Sequence, residues 1–348
     1  MLRTPEFTTV RLSEPVPYHA FAWRWGRPGA MRELTRAQRR ELMCLTAASG
    51  ATDNLALAAQ SVGCPLTAEV CYTAGKAGQL GSCALLAQLG CDMRRAVEGA
   101  AAGGRQALCE ELSSWAGIPC NYVFCAVAAA EAGHTHIVEW MVRRRDEVMR
   151  LRYACVDAWV LMRAVAEGCD LAALQRYFVE LGRQEAGEEG VEDWLKEAIH
   201  VVAAAAGSPT PDWRAKVEWL ESRGFPRTPG AYTAAAKRPD ALKRFGWLAQ
   251  RGYPSRPEDG YGDEDAPLVV AASAGNAAAL LFLAEGRPSG KDFTCMWCAA
   301  AAKGHLHVLQ ALHAAGRCDD GFPLIVASAE RDAATLECLR RLGCPRGA

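Results

Sequence analysis

The 348-residue chain has no excess of either charge: 39 lysines and arginines face 40 aspartates and glutamates, for a formal net charge of −1. Such a balance sets up no global field toward nucleic acid or an anionic membrane, so no nucleic-acid partner is expected and any electrostatic steering must be local. A signal-like start is also missing. The opening MLRTPEFTTVRL has no apolar core, and the fifteen cysteines are an odd number in a long chain, so they read as reduced thiols of a cytosolic protein. Uninterrupted apolar runs are lacking too. Two charge-free runs, 112–130 and 266–284, are each nineteen residues long, which is the length of a membrane span. Turn residues break both, GIPCN in the first and ASAGN in the second, which points to pairs of short buried helices and to no transmembrane segment.

Signatures of chemistry are equally sparse. GKD at Gly290 lacks the glycine and hydroxyl residue of a phosphate loop, and PEDGYGDEDAP at 257–267 lacks the spaced loop and distal glutamate of a calcium site. No histidine stands in a recognisable relation to a cysteine that would make that thiol a nucleophile. The nearest approach to a metal motif is Cys295 and Cys298 followed by Gly304-His305-Leu306-His307, with no second CxxC and no HxxxH. Gly-His-x-His recurs at Gly133-His134-Thr135-His136. Residues two apart on a helix point about 200° away from each other, so both histidine pairs are expected to be packed side chains. No catalytic residue, metal or cofactor is assigned.

What the chain does contain is itself, repeated. Gly63 in SVGCP, Gly90 in QLGCD and Gly117 in WAGIP lie 27 residues apart, as do Gly316 and Gly343. Gly224 in SRGFP, Gly252 in QRGYP and Gly286 in AEGRP continue the series at 28, 34 and then 30 residues to Gly316. A second glycine stands eleven or twelve residues earlier, as at Gly78, Gly275 and Gly304. Small residues precede it (VVAASAG, CAAAAKG), and apolar residues at helical spacing come after it, such as Leu306, Leu309 and Leu312. Each unit therefore reads as two short helices, closed by glycine and too small to bury its apolar face alone, so units must stack.

The residues then carry a resemblance. APLVVAASAGN and FPLIVASAERD are similar to the TPLHxAA opening of ankyrin repeats, and AAAAKGHLHVLQALHAAG resembles the second half of that repeat. The resemblance covers residues 41–348 in about ten units and implies an all-α, helix-pair solenoid, an ankyrin-repeat array, with units mostly 27 to 28 residues long. Units lengthen between Arg145 and Gly224, where RQEAGEEGVED and AAGSPTPDW read as exposed inserts.

Residues 1–40 do not repeat and read as an N-terminal cap. TTVRLSEPVP alternates like a short strand, FAWRWGRPGA reads as a tryptophan-bearing turn, and Thr35 with Gln38 resembles a capping box opening the next helix. The segment is similar to the stretch after the F-box in F-box and ankyrin proteins, although no F-box helices are present.

An array of this kind implies a non-enzymatic, monomeric, cytoplasmic scaffold gripping a partner protein on a concave face of first helices and turns. Lys76, Glu98, Glu131, Lys303 and Glu330 are the candidate contacts there. Arg143, Arg144 and Arg145 form the densest basic run and would meet an acidic peptide or phosphate group. Trp140, Trp219 and Trp247 recur at one second-helix position and are expected in the core. Two other resemblances imply other functions: a sphingomyelin phosphodiesterase-related lipid hydrolase, or an F-box-type ubiquitin-ligase adaptor without its F-box.

Overall fold

The structure, a computed structural model, describes residues 11–115, 121–149, 155–182, 191–255, 266–285, 293–316, 327 and 332–343. Among them the chain is all-α, with twenty α-helices, one 3-10 turn and no strand. It divides into two compact units, Met1–Leu161 and Met162–Ala348.

The first unit opens with α1 (Tyr18–Trp25) and the 3-10 turn (Ala30–Glu33). Four helix pairs come next: α2 (Arg36–Ser49) with α3 (Thr52–Ser61), α4 (Ala68–Ala77) with α5 (Leu80–Gln88), α6 (Arg94–Ala102) with α7 (Gln106–Ser114), and α8 (Tyr122–Glu131) with α9 (Thr135–Met149). Helix α10 (Cys155–Gly168) carries the boundary between units and is paired in sequence with α11 (Leu171–Gly182). The second unit continues with α12 (Val191–Ala206) and α13 (Trp213–Ser222), α14 (Gly230–Ala236) and α15 (Ala241–Gln250), and α16 (Ala266–Ser273) and α17 (Ala277–Ala284). It closes with α18 (Thr294–Ala302) and α19 (Leu306–Ala314), then α20 (Ala333–Arg341).

Within each unit like packs on like. First helices α2, α4, α6 and α8 stack in order, and so do α12, α14, α16 and α18; on the other side α15, α17, α19 and α20 form the matching row. The expected helix pairs and their stacking are therefore present. The glycines picked out by spacing close the helices: Gly63, Gly90, Gly224, Gly252, Gly316 and Gly343, with the inner Gly78, Gly133, Gly275 and Gly304, all have φ between 58° and 87°, a region an L-residue resists. Gly117 and Gly286 lie outside the described residues.

Alanines of the first helices (Ala74, Ala96, Ala100, Ala129) and leucines and valines of the second (Leu86, Leu112, Val138) are buried in the core. Three glycines bring α4 and α6 closer than alanine would allow. A Cβ on Gly75 would lie 2.0 Å from Ala96 O, on Gly99 2.0 Å from Tyr72 O, and on Gly103 2.2 Å from Lys76 O. These two helices touch backbone to backbone.

Three expectations need correction. FAWRWGRPGA is not a turn throughout, since its first five residues, FAWRW, belong to α1 (Tyr18–Trp25). Residues 11–17 form a turn, with Glu14 N–H donating to Arg11 O at 3.2 Å, and not a strand. Pro15 and Pro17 cannot donate to a ladder, and no neighbouring strand exists among the described residues to pair with. In AAGSPTPDW, Ser208 and Trp213 are buried while Pro209 and Pro211 are exposed, so this segment is only partly solvated; residues 183–190, from the other insert, lie outside the described residues. The capping box is present, with Gln38 N–H donating to Thr35 Oγ1 and Thr35 N–H to Gln38 Oε1 at the start of α2.

Gly99→Ala is expected to lower unfolding free energy by about 2 kcal/mol through overpacking. Gly246→Ala, in mid-α15 with open space at its Cβ position, should raise it by about 0.5–1 kcal/mol through helix propensity. Urea denaturation of both variants checks the opposite signs.

Candidate functional site

A helix ends with carbonyls that have no partner inside it, at the negative pole of its dipole. Each first helix here is closed locally. At the end of α4, Gly78 N–H donates to Gly75 O (2.9 Å) and Gln79 N–H to Ala74 O (3.0 Å), and Gly133 with His134 repeats the pattern on Ala130 and Ala129. The residue after the glycine then sends its side chain to the first helix one repeat earlier. A Cβ on Gly50 would meet Gln79 Oε1 at 2.4 Å, on Gly78 Arg105 Nε at 3.1 Å, and on Gly104 His134 Cε1 at 2.9 Å. In the second unit Asn276 Nδ2 donates to Ala236 O (3.1 Å) and Arg238 O (2.8 Å).

The Gly-His-x-His motifs belong to this device. His305 Nε2 donates to Ser273 O at 3.0 Å and His307 Nε2 to Gly275 O at 2.7 Å. The rings do not point apart as a purely helical pair would, because His305 is the N-cap of α19 with φ −81° and ψ 71°. Ring centroids are 5.9 Å apart there and 6.1 Å apart for His134 and His136. Both histidines of the 305/307 pair are engaged by carbonyls of the preceding repeat. Cys295 is exposed and Cys298 half-buried on α18, and among the described residues no three potential metal ligands gather.

The same device buries two cations. Lys216, 0% exposed, donates from Nζ to Ala166 O (2.7 Å), Cys169 O (2.8 Å) and Ser208 Oγ (2.7 Å). Ser208 in turn donates to Glu167 O. The three ammonium protons thus have three acceptors, two of them carbonyls at the end of α10. Burial pushes the Lys216 pKa down to about 8, while the Asp212 carboxylate pulls it back. A lysine so depressed is what amine catalysis uses, but this one is sealed from solvent and committed to a helix end. Arg244 closes α12 likewise, with Nη1 donating to Ala206 O (2.7 Å) and Ser208 O (2.9 Å), Nε donating to Asp240 Oδ1 (2.8 Å), and Cζ 4.4 Å from the centre of the Trp213 ring.

The surface differs. Aligning α4, α6 and α8 on Gly78, Gly104 and Gly133 puts Glu69, Arg95 and Phe124 in one row and Tyr72, Glu98 and Val127 in the next. Lys76, Ala102 and Glu131 make the third. Arg95 and Lys76 lie over the Tyr72 ring at 5.0 and 5.9 Å, and Arg95 pairs with Glu98. Burial raises the Tyr72 pKa; Arg95 opposes the shift, and the carboxylates of Glu69, Glu131 and Glu98 add to it. Phe124 stands 57% exposed. The structure therefore brings Lys76, Glu98 and Glu131 to one face, together with Tyr72, Arg95 and Phe124, which sequence reasoning missed. Registering the repeats on their inner glycines is the signal that finds them.

Arg143 and Arg144 lie elsewhere, along a groove between α7 and α9. Two adjoining cavities of about 400 and 340 Å³ share Trp140 and Arg144. Gln106, His136, Glu139 and Arg143 line one, and Glu110, Ser113, Ser114 and Tyr122 the other. Trp140 is therefore a half-buried groove wall and not core, whereas Trp219 and Trp247, also half-buried, pack edge-on against Phe178 and Trp213 at 5.2 and 5.1 Å. Lys303 is exposed at the end of α18 in the second unit; Glu330 and the side chain of Arg145 lie outside the described residues.

Cys169, which follows Gly168, is buried, and Cys64 and Cys91, which follow Gly63 and Gly90, are half-buried; Cys318 and Cys344 lie outside the described residues. Burial drives the thiols of Cys71, Cys83 and Cys169 up to about 12, 11 and 11, the opposite of what a nucleophile needs. No helix among the described residues is long and apolar enough to cross a membrane. No family model and no curated protein matches the chain.

Lys216→Met should cost roughly 3 kcal/mol by leaving buried acceptors unpaired. Between pH 8, its folded pKa, and 10.5, the ordinary lysine value, the unfolded lysine holds a proton that the folded one has released, so its contribution makes stability rise with pH. The stability difference between wild type and Lys216→Met, tracked by denaturant melts, should therefore climb across that window. The raised cysteine thiols act oppositely, but in both proteins, and largely cancel. A flat difference would refute the buried-ammonium assignment.

Proposed function

We propose that the chain is an ankyrin-like, non-enzymatic scaffold that binds a partner protein on the first-helix face of its first unit. The observation that carries this reading is Phe124, exposed in the same row as Arg95, whose guanidinium lies over the Tyr72 ring. Aromatic and arginine anchors within a rim of mixed charge have the composition of an interface hot spot. Lys76, Glu98 and Glu131 supply that rim, and the α4–α6 backbone contact holds it rigid. The partner should present apolar side chains for Phe124 and Tyr72, ringed by charges of both signs.

The groove between α7 and α9 supports a second reading, in which an extended peptide lies along Trp140 and meets Arg143 and Arg144 with a carboxylate or phosphate.

Proximity labelling in cells separates the two. Phe124→Ser with Lys76→Glu should deplete the specific labelled set about 10-fold while leaving stability within about 0.5 kcal/mol, as for surface changes generally. Trp140→Ala with Arg144→Glu should leave that set intact. The reverse pattern would move the site to the groove, and an unchanged set from both pairs would overturn the scaffold reading.

A further inference from the structure

The overall balance of charge conceals an uneven distribution. Between residues 11 and 41 stand seven arginines (Arg11, Arg24, Arg27, Arg32, Arg36, Arg39, Arg40) and three glutamates (Glu14, Glu33, Glu41), a local net charge of +4 in a chain whose total is −1. Residues 42–348 therefore carry −5, since Arg3 and Glu6 cancel in the first ten. The basic segment carries two exposed aromatics of the first unit. Trp23 is 64% and Tyr18 52% exposed, both on α1, while Phe21, the one aromatic of this helix without a polar tip, is turned into the core. Trp25 is half-buried.

Guanidinium groups attend the indoles. Arg27 Cζ lies 5.1 Å from the Trp23 ring centre and Arg24 Cζ 4.2 Å from that of Trp25. Arg24 also reaches Glu33 at 3.5 Å, which ties α1 to the 3-10 turn and brings Arg32 and the start of α2 to the same corner. Tryptophan and tyrosine, apolar rings with a polar tip, are the side chains that settle at the headgroup level of a bilayer, and arginine beside them meets lipid phosphate.

We propose that the N-terminal corner, with Tyr18 and Trp23 as insertion points and Arg27, Arg32 and neighbouring arginines as phosphate contacts, docks peripherally on an anionic lipid surface. A lipid surface fits better than an acidic peptide because Trp23 and Tyr18 project into solvent. Projecting rings enter a headgroup layer without a matching pocket, whereas peptide recognition relies on grooves and pockets. This attachment uses residues distinct from the first-helix face, so either assignment can fail without the other.

The test is co-sedimentation of the full chain with vesicles of phosphatidylcholine alone and of phosphatidylcholine with phosphatidylserine. Partition onto the anionic vesicles should exceed that onto the neutral ones by about 10-fold and fall with added salt, as screening requires. Trp23→Ala with Tyr18→Ser, and separately Arg27→Glu with Arg32→Glu, should each reduce it about 10-fold, with unchanged circular-dichroism melts. Wild-type partition indifferent to phosphatidylserine, or variants that sediment like wild type, would overturn the proposal. Retention on polyglutamate resin without vesicle binding would also overturn it, assigning the corner to an acidic protein.

Discussion

The open carbonyl end of each first helix is the constraint on which the rest of the molecule depends. Buried carbonyls without partners are costly, and a helix of nine or ten residues cannot supply them from within itself. The chain meets the need with one residue in two roles. His134 closes its own helix through its backbone N–H on Ala129 and covers the previous one with its ring against Gly104. Gln79, Arg105, Asn276 and His305 occupy the equivalent place. Because donors and cations suit the negative end of a helix dipole, this place is filled by amide, guanidinium and imidazole side chains. The requirement also couples neighbours, since a repeat without a successor leaves its first helix uncovered, which makes stacking cooperative.

That constraint accounts for residues that would otherwise invite a chemical interpretation. A histidine pair two residues apart, a lysine held near pKa 8 and a buried arginine under a tryptophan are each features of active sites elsewhere. Here they terminate α16, α10 and α12 respectively. Burial lowers the pKa of Lys216 and of Arg244, because each donor has been removed from water to satisfy buried helix-end carbonyls.

With the helix ends secured, glycine and alanine let the first helices approach until backbone meets backbone, as at Gly75, Gly99 and Gly103. Close approach leaves little lateral freedom, so side chains on the outer side of α4, α6 and α8 stand in fixed rows. In the proposed scaffold, Tyr72 and Arg95 on this closely packed pair would lose little conformational entropy when covered by a partner. The second helices leave wider gaps, filled partly by Trp140 and Arg144, and one of these gaps is the groove.

The sequence by itself determined the helix pairs, their glycine stops, the capping box at Thr35 and the alanine and leucine core, because these depend on local backbone freedom and on periodicity along one chain. It misled where a feature needs a partner: TTVRLSEPVP alternates like a strand, but no strand lies beside it among the described residues. Only the tertiary structure decided which side of a helix is covered. Phe124 sits in the apolar run YVFCAV and reads as core until α6 packs on α8 and leaves it outside. Lys216, in RAKVEW, reads as a solvated helix lysine until the end of α10 comes down on its ammonium group. Burial is a relation between segments distant in sequence, here 50 residues from Ala166 to Lys216, and no single stretch of chain encodes it.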